Sequence, residues 1–407
     1  MARNRLVVAL LLTGLTAAVT GCGGNKSDSK GTTSASATSA SSATSSAASA
    51  SATSSSAASS APASSSAAAT SSSAPDDKKC VTPTGTGFSG KLTGPNGEPG
   101  VTADTVKVTD EDKAAASAAV KGKTVAISQH FSSDYTSQVS DGIANAMKAL
   151  GANIITSDAG GKPEKQVSDI ESLLAKKPAL LVVFPVDAAA STPGIKAANA
   201  AKVPVVIVGS ALKGAEFESL ISADNYEGGV IAAKQMIDAL GNSGDVAILP
   251  YKFSLWHVDE RVAGFRDGIA CSGLKVVADK QTCQAVADCT GVFADVLTAN
   301  PNLKGGFGAY DGIALGMNAA AKTAGKDVFI TTSDLGGDSA KAIASGSQPL
   351  KATAAQLTDA QASVTAAIST LVLAGKPVPK MVFAPDAAVS KDNVAQLYEK
   401  LFGKPLS

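Results

Sequence analysis

The chain has 407 residues, and its 35 basic and 35 acidic side chains give a formal net charge of +0. This balance favours no class of partner, and nothing in the sequence indicates nucleic acid. The length of the region from about residue 121 is sufficient for two lobes of typical domain size. Only 2 histidines are present, and neither has the patterned partners that a metal centre or a general acid–base pair requires.

The first residues predict export as a lipid-anchored protein. Two arginines precede an apolar run from Leu6 to Leu15 that is too short to span a bilayer, and small residues lead to Cys22. Residues 1–21 therefore resemble a lipoprotein signal peptide that is cut before Cys22, which is then acylated. The alternative is an ordinary secretory peptide with a chance cysteine. The first interpretation places the protein on the extracytoplasmic face of the cell membrane, on its periplasmic or cell-surface side.

Residues 22–79 predict a disordered, lipid-anchored linker. From Thr32 to Ala74 the chain contains only Ser, Ala and Thr apart from Pro62. Such a segment has almost nothing apolar to bury and no charge pattern to order it. We expect it to hold the folded part clear of the membrane. The next segment, residues 80–120, leads into the folded domain.

Cysteine usage agrees with export. Without Cys22 the chain keeps an even set, Cys80, Cys271, Cys283 and Cys289, in a compartment where disulfides persist. Three of the four fall between Cys271 and Cys289, so we expect one bridge within that stretch and a second from Cys80 to the remaining thiol. Zinc is a poor alternative, because no two of these cysteines have CxxC spacing and no histidine lies among them.

From about residue 121 onward, apolar strands alternate with amphipathic helices. The first strand, Lys123 to Ser128, precedes apolar residues at helical spacing up to Leu150, and Gly151 follows as a C-cap. In chain order, the other predicted strands are Asn153–Thr156, Leu180–Phe184, Val205–Val208, Val246–Leu249, Lys275–Ala278, Gly306–Gly308, Val328–Thr331 and Ala352–Ala355. The other predicted helices are Pro163–Lys177, Asp187–Ala201, Asp224–Leu240, Asp259–Ala270, Val286–Thr298, Asp311–Ala324 and Gln361–Leu373. This alternation predicts an α/β fold with parallel sheets covered on both faces.

Polar and aromatic side chains follow the predicted strands directly, at the ends where parallel sheets bind ligands. They include Gln129 to Tyr135, Ser210, Tyr251 to Arg261, Tyr310-Asp311, Ser333-Asp334 and Gln356. Carboxylate, amide and guanidinium groups pair with hydroxyls, and aromatic faces cover the C–H faces of a sugar ring. The pattern predicts a site for a neutral, hydroxylated small molecule.

Four short segments carry a more specific signal. They are Ser222-Ala-Asp-Asn-Tyr-Glu-Gly-Gly229, Glu260-Arg-Val-Ala-Gly-Phe265, Asp311-Gly-Ile-Ala-Leu-Gly316 and Lys351-Ala-Thr-Ala-Ala-Gln356. In this order and spacing, residues 121–407 resemble the type I periplasmic sugar-binding proteins, and their ribose-binding branch in particular.

The resemblance implies two Rossmann-like lobes with parallel sheets, joined by a three-crossover hinge, with ligand in the cleft between them. The N-lobe would comprise about residues 121–223 and 357–385, and the C-lobe about residues 224–356 and 386–407. A protein of this kind is not an enzyme and needs no cofactor. It captures a monosaccharide-like sugar as a monomer and delivers it to the permease of an ABC transporter. The alternative is a lipoprotein that presents a bound small molecule to a signalling receptor.

The resemblance also implies ligand contacts. Arg261, Asp334 and Gln356 occupy positions that contact sugar hydroxyls, and Tyr135 a position that packs on the ring. The complete set of expected ligand-binding residues is Phe131, Asp134, Tyr135, Phe184, Ser210, Trp256, Arg261, Gln284, Tyr310, Asp334 and Gln356. We expect no metal ligand.

Three positions depart from the family's pattern. Phe184, Gly209-Ser210 and Tyr310 stand where the family has hydroxyl-binding residues. Ribose specificity is therefore not carried over, and a larger, deoxygenated or differently substituted sugar is expected.

Some of these residues also have a structural interpretation. Arg261, with Asp259 nearby, could form a surface ion pair. Asp224 and Asp311 each precede an apolar periodic run and are expected to cap helices. For Trp256, core packing and stacking on a ligand are equally open.

The two histidines favour no catalytic function. His130 and His257 are isolated in the sequence, so we interpret them as polar cleft lining or surface residues. The glycines after Tyr226 fit neither a dinucleotide nor a P-loop fingerprint, and no GxSxG or HExxH motif is present.

Overall fold

The computed structural model describes residues 81–84, 86–253 and 255–407. The signal peptide, the lipidation site Cys22, the linker and Cys80 lie outside these described residues, so their assignments stay predictions. Among the described helices, none combines the length and the apolar character that a bilayer crossing requires.

The first lobe is built on a seven-stranded sheet. Its strands are β1 (Gly100–Thr102), β2 (Thr124–Gln129), β3 (Asn153–Asp158), β4 (Leu180–Val183), β5 (Val205–Val208), β6 (Ser219–Ala223) and β12 (Met381–Ala384). They lie in the order β1-β12-β6-β5-β4-β2-β3, and every neighbouring pair is parallel. The helices of this lobe are α1 (Asp110–Val120), α2 (Asp134–Ala149), α3 (Pro163–Leu174), α4 (Thr192–Ala200) and α10 (Thr358–Leu373).

The second lobe is built on a six-stranded sheet. Its strands are β7 (Ser243–Leu249), β8 (Gly273–Ala278), β9 (Leu303–Gly308), β10 (Phe329–Ser333), β11 (Leu350–Gln356) and β13 (Asp386–Ser390). The order is β13-β11-β10-β9-β7-β8, with only β13 antiparallel to its neighbour. Its helices are α5 (Asn225–Leu240), α6 (Trp256–Ile269), α7 (Val286–Ala299), α8 (Asp311–Thr323), α9 (Gly337–Ser345) and α11 (Val394–Phe402).

The chain crosses between the lobes three times. The crossings lie at Asp224 between β6 and α5, at Leu357 between β11 and α10, and at Pro385 between β12 and β13. They are hydrogen-bonded to one another: Asp224 N donates to Ala384 O at 3.0 Å, and Leu357 N donates to Pro385 O at 3.1 Å. The predicted fold of two parallel-sheet lobes on a three-crossover hinge is thus confirmed.

Glycines allow α5 and α6 to pack in close contact. A Cβ added to Gly229 would lie 2.0 Å from Arg261 O, and one added to Gly264 would lie 2.0 Å from Tyr226 O. Neither helix could move closer or accept a side chain there. Gly229, the second glycine after Tyr226, therefore serves helix packing, and this packing fixes the position of α6 against α5.

Several elements were not expected from the sequence. Strands β1, β6, β12 and β13 and helices α1, α9 and α11 fall outside the predicted set. The sequence predicted residues 80–120 as an entry segment ahead of the binding domain. In its described part β1 pairs with β12 and α1 packs on α10, so these two elements belong to the first lobe. The signal was weak because α1 buries mainly small side chains and β1 has only three residues.

A short segment crosses the hinge on its way into the first lobe. In this hinge strap, residues 86–92, Ser89 Oγ donates to Asp224 Oδ2 at 2.8 Å, and Asp386 N donates to Gly87 O at 3.0 Å. Lys91 Nζ lies 2.7 Å from Glu260 Oε2 of the second lobe. Because its Phe88 and Leu92 pack against the first-lobe core, the strap contacts both lobes.

Asp224 connects the strap to the hinge. Its carboxylate accepts hydrogen bonds from Ser89 N at 2.6 Å and from Glu227 N at 3.1 Å. The second bond caps α5, as the sequence predicted. Burial raises the pKa of Asp224, so the bonds from the strap offset part of the cost of burying this group.

One disulfide joins Cys283 and Cys289. It lies inside the stretch in which a bridge was expected. Cys271 is disulfide-bonded as well. Since Cys80 lies outside the described residues, its pairing with Cys271 stays a prediction.

The strap should contribute to stability. Ser89→Ala removes the hydroxyl that donates to buried Asp224, and we expect the free energy of unfolding to fall by about 1–3 kcal/mol, as measured by urea denaturation. Thr86→Ala is the matched control, because its exposed hydroxyl bonds to Thr84 and Phe88 within the same segment. An equal loss in both variants would contradict a specific role for the Ser89 contact.

Candidate functional site

A cleft of about 500 Å³ lies between the lobes, at the carboxyl ends of strands from both sheets. The lobes approach each other at its rim, where a Cβ added to Gly337 of α9 would lie 3.8 Å from Asp134 Oδ2 of the first lobe. The predicted ligand-binding residues that line it are Phe131, Asp134, Tyr135, Phe184, Ser210, Arg261, Tyr310, Asp334 and Gln356. Their contact with a ligand remains a prediction.

Two predicted residues do not line the cleft. Trp256 packs against the first-lobe core, which corresponds to the core-packing interpretation. Gln284 is exposed, and its backbone carbonyl accepts a hydrogen bond from the Tyr310 hydroxyl. The rule that ligand-binding residues follow strands therefore located the loops of the cleft. It did not predict where the side chains of Trp256 and Gln284 point.

A buried ion pair forms the polar wall of the cleft. Arg261 Nη1 donates to Asp334 Oδ2 at 2.9 Å, and Nη2 donates to Oδ1 at 2.9 Å. Arg261 Nε donates to Asn225 Oδ1 at 2.8 Å, and Nη1 also donates to Ala309 O at 3.2 Å. Because Arg261 is only 3% exposed, the interpretation as a surface ion pair is wrong. Its fork geometry is the one that recognises paired oxygens.

Asp334 is held in a strained backbone conformation. Its φ is 75°, in the left-handed region that non-glycine residues rarely adopt. Backbone bonds fix this conformation: Asp334 N donates to Ala354 O at 3.0 Å, and Thr353 Oγ1 donates to Asp334 O at 2.6 Å. Gln356 Nε2 donates to the carboxylate. Strain of this kind is concentrated at functional sites.

Aromatic side chains also line the cleft. Phe184 stacks with His130 at a centroid distance of 6.0 Å, and Tyr310 meets Tyr251 edge to face at 5.7 Å. Gly209 has φ +85°, and a Cβ there would lie 3.1 Å from the Tyr135 hydroxyl. The glycine at this position therefore gives Tyr135 the space that it occupies.

Both histidines line the cleft as neutral imidazoles. Burial lowers the pKa of His130 to about 4, although the negative charge of Asp158 acts to raise it. Burial and, secondarily, the charge of Arg261 lower the pKa of His257 to about 3. Nδ1 of each ring is buried without a hydrogen-bond partner among the described residues. Of the two alternatives left open by the sequence, cleft lining is the correct one.

Asp311 does not cap its own helix. Its Oδ2 accepts from Gly336 N at 3.1 Å and from Ser339 Oγ at 3.3 Å, at the start of α9. The prediction of an α8 cap is therefore wrong, because the carboxylate turns towards the neighbouring helix. Burial and the charge of Asp334 raise its pKa to about 6.

Further lining residues were not proposed as ligand contacts from the sequence. Asn225, Tyr251, His257 and Asp311 all face the cleft. Tyr251 follows β7 directly, and His257 precedes Arg261 by one helical turn, so strand ends and helical spacing were usable signals. Among the described residues, no group of three or more His, Cys, Asp or Glu could hold a metal ion.

The histidines should make stability depend on pH. Each has an unfolded-state pKa of about 6.5 and a lower pKa in the fold, so the unfolded state binds more protons as pH falls below 6.5. We expect each imidazole to cost about 1–2 kcal/mol of unfolding free energy between pH 7 and pH 5, measured by urea denaturation. The double variant His130→Gln, His257→Gln should lose less over this range. The raised pKa of Asp311 stabilises the fold as pH falls, but this effect is the same in the wild type and in the double variant. Equal losses of unfolding free energy in the two proteins would therefore refute the lowered histidine pKa values.

Comparison with known proteins adds independent information. Residues 125–377 match the family model described as "Periplasmic binding protein domain". The ribose import binding protein of Bacillus subtilis (strain 168) is 30% identical over 244 residues, which are 60% of this chain and 79% of that protein.

Two solved structures are similar to the chain throughout most of their length. The periplasmic binding protein of the arabinose ABC transporter from Shewanella sp. ANA-3, bound to L-arabinofuranose, has a TM-score of 0.61 and 27% identity, covering 68% of this chain and 95% of that one. An ABC transporter solute-binding protein from Mycobacterium smegmatis, with bound glycerol, has a TM-score of 0.61 and 26% identity, covering 67% and 96%.

Proposed function

The chain belongs to the type I periplasmic sugar-binding protein family, and we propose that it captures a monosaccharide-like solute in the cleft and delivers it to the permease of a sugar ABC importer. The observation that carries this proposal is the arrangement of the cleft. The Arg261–Asp334 pair with Gln356 lies on one side, and the rings of Tyr135 and Phe184 come from the other lobe. Hydroxyls match the first group, and C–H faces match the second.

Ligand capture in this proposal is a conformational equilibrium. A solute that contacts both lobes binds the closed cleft more tightly than the open one, so it shifts the population towards closure. The three crossovers at Asp224, Leu357 and Pro385 provide the hinge. A permease then distinguishes the closed, loaded form by its shape.

The preferred ligand is less uniformly hydroxylated than ribose or is larger. At the positions that depart from the family's pattern, Phe184 and Gly209 contribute no side-chain oxygen, Ser210 contributes one hydroxyl and Tyr310 contributes one phenol. That phenol donates to Gln284 O. Ring faces and methyl or methylene groups gain most from such a wall.

Binding should depend on the polar group of the second lobe. In a thermal-shift screen of D-ribose, L-arabinose, D-allose, D-tagatose and myo-inositol, at least one should raise the melting temperature, because ligand bound only by the folded state stabilises it. Gln356→Ala and Asp334→Asn should each weaken that ligand by about ten- to a hundredfold in calorimetry, since its hydroxyls lose partners.

The matched control lies on the same helix as Arg261. Arg266 pairs with Asp279 at 2.9 Å outside the cleft, so Arg266→Ala should bind like the wild type. Wild-type affinity in both cleft variants would remove the assignment. Asp334→Asn and Arg261→Ala each leave one charge of the ion pair without its partner, so both should also lower the melting temperature of the unliganded protein. Gln356→Ala is therefore the cleaner test of binding.

The proposed lipid anchor has a separate test. Cys22→Ala removes the acyl acceptor, so we expect the protein to be released or to remain unprocessed. Membrane fractionation and the mass of the mature chain report both outcomes. A Cys22→Ala protein of mature size that stays on the membrane would contradict lipid anchoring.

A further inference from the structure

A disulfide closes a short loop directly beside the cleft. In this bridged loop, residues 283–289, Cys283 and Cys289 are joined and both are buried. Cys283 pairs in a parallel bridge with Tyr251, a residue that lines the cleft, and Lys252 N donates to Cys283 O at 3.0 Å. The bridged loop is therefore attached to the end of β7, where the cleft wall begins.

The backbone at Gln284 is held on both sides. Gln284 N donates to Asp288 Oδ2 at 3.0 Å, and Ala285 N donates to Asp288 Oδ1 at 2.6 Å. Near the start of α7, Cys289 packs tightly on α8, since a Cβ added to Gly316 would lie 2.6 Å from Cys289 Cβ. With the disulfide on one side and the Asp288 carboxylate on the other, the Gln284 carbonyl has a fixed position and direction.

That carbonyl holds the ring of Tyr310, whose hydroxyl donates to Gln284 O. The residue before it is fixed as well, because Arg261 Nη1 donates to Ala309 O at 3.2 Å. The ring lies against the first turn of α8, where a Cβ added to Gly312 would lie 2.5 Å from Tyr310 Cε2. The side chain is thus held at its backbone, along its ring and at its hydroxyl.

Tyr310 is nevertheless accessible from the cleft. It is only half-buried and lines the cleft, as does Tyr251, which meets it edge to face at 5.7 Å. Its backbone neighbour Ala309 is bound by the same guanidinium that pairs with Asp334. A solute beside the Arg261–Asp334 pair can therefore also contact the Tyr310 ring.

We propose that the bridged loop positions Tyr310, and that the ring held in this way sets the affinity of the cleft for ring-shaped neutral solutes. This deepens the proposed function and rests on it. A side chain that is already fixed loses less conformational freedom when a ligand packs on it. Because the hydroxyl is bound to Gln284, the ring offers the solute an apolar surface, which matches C–H groups. Cys283, Asp288 and Cys289 are positioning residues in this arrangement.

The positioning can be tested without a ligand. The chain has 5 tyrosines, so protein labelled with ¹³C at tyrosine Cζ gives few signals, and Tyr310→Phe identifies the one from Tyr310. In the double variant Cys283→Ala, Cys289→Ala we expect this signal to shift, because its hydroxyl loses a fixed acceptor. The control is Val296→Ala, which truncates a buried side chain of the same helix, α7. It should lower the melting temperature and leave the signal in place.

The effect on affinity is tested by calorimetry with D-ribose, L-arabinose, D-allose, D-tagatose and myo-inositol. For the tightest of these, Tyr310→Phe should weaken binding by about three- to tenfold in the wild-type background, and so should the cysteine double variant. In the double-variant background Tyr310→Phe should change affinity by less than about twofold, because both changes release the same ring. Val296→Ala should bind like the wild type.

The outcomes distinguish this inference from the proposed function. An unmoved Tyr310 signal in the cysteine double variant refutes the positioning. Equal effects of Tyr310→Phe in both backgrounds, or none in the wild type, refute the role in affinity while the proposed function stands. If none of the five solutes binds the wild type, the proposed function fails and the role in affinity fails with it. Should the double variant not fold, Asp288→Ala replaces it, since it frees Gln284 N and leaves the disulfide intact.

Discussion

The cleft is organised around the buried ion pair of Arg261 and Asp334. Its guanidinium also binds Asn225 at the start of α5 and Ala309 after β9. A buried charge that loses its partner destabilises a fold by about 3–5 kcal/mol, so these three points of the second lobe are held in one arrangement. In the proposed closure, what faces this polar surface changes while the surface itself does not.

The first lobe complements that surface mainly with rings, and its Asp134 lies at the rim. Tyr135 and Phe184 cover apolar area, and His130 extends the wall as a neutral ring. Membership of a family of binding proteins confirms that the chain is not an enzyme. The neutral state of the histidines is consistent with this, because a general base needs a pKa closer to the working pH.

The sequence predicted those elements in which the spacing of apolar residues and the overall apolar content indicate the same structure, such as β4, β5 and α5. It missed β1 and β12, because a short strand is defined by a partner that is distant in the chain. In the site, residue type after a strand located most of the lining. Trp256 stayed open between core packing and stacking on a ligand, because no local pattern shows that its side chain packs against the first-lobe core. His257 was ambiguous because a lone histidine has no pattern.

Strand β1 determines how far this chain can be shortened before an edge of the first sheet is exposed. The family match begins at residue 125, but β1 covers the edge of β12, whose four residues are all buried. A chain shortened to the family boundary would expose that apolar edge strand with unpaired backbone groups. Such edges pair with other chains and promote aggregation. The residues ahead of the family match thus also protect the sheet from self-association.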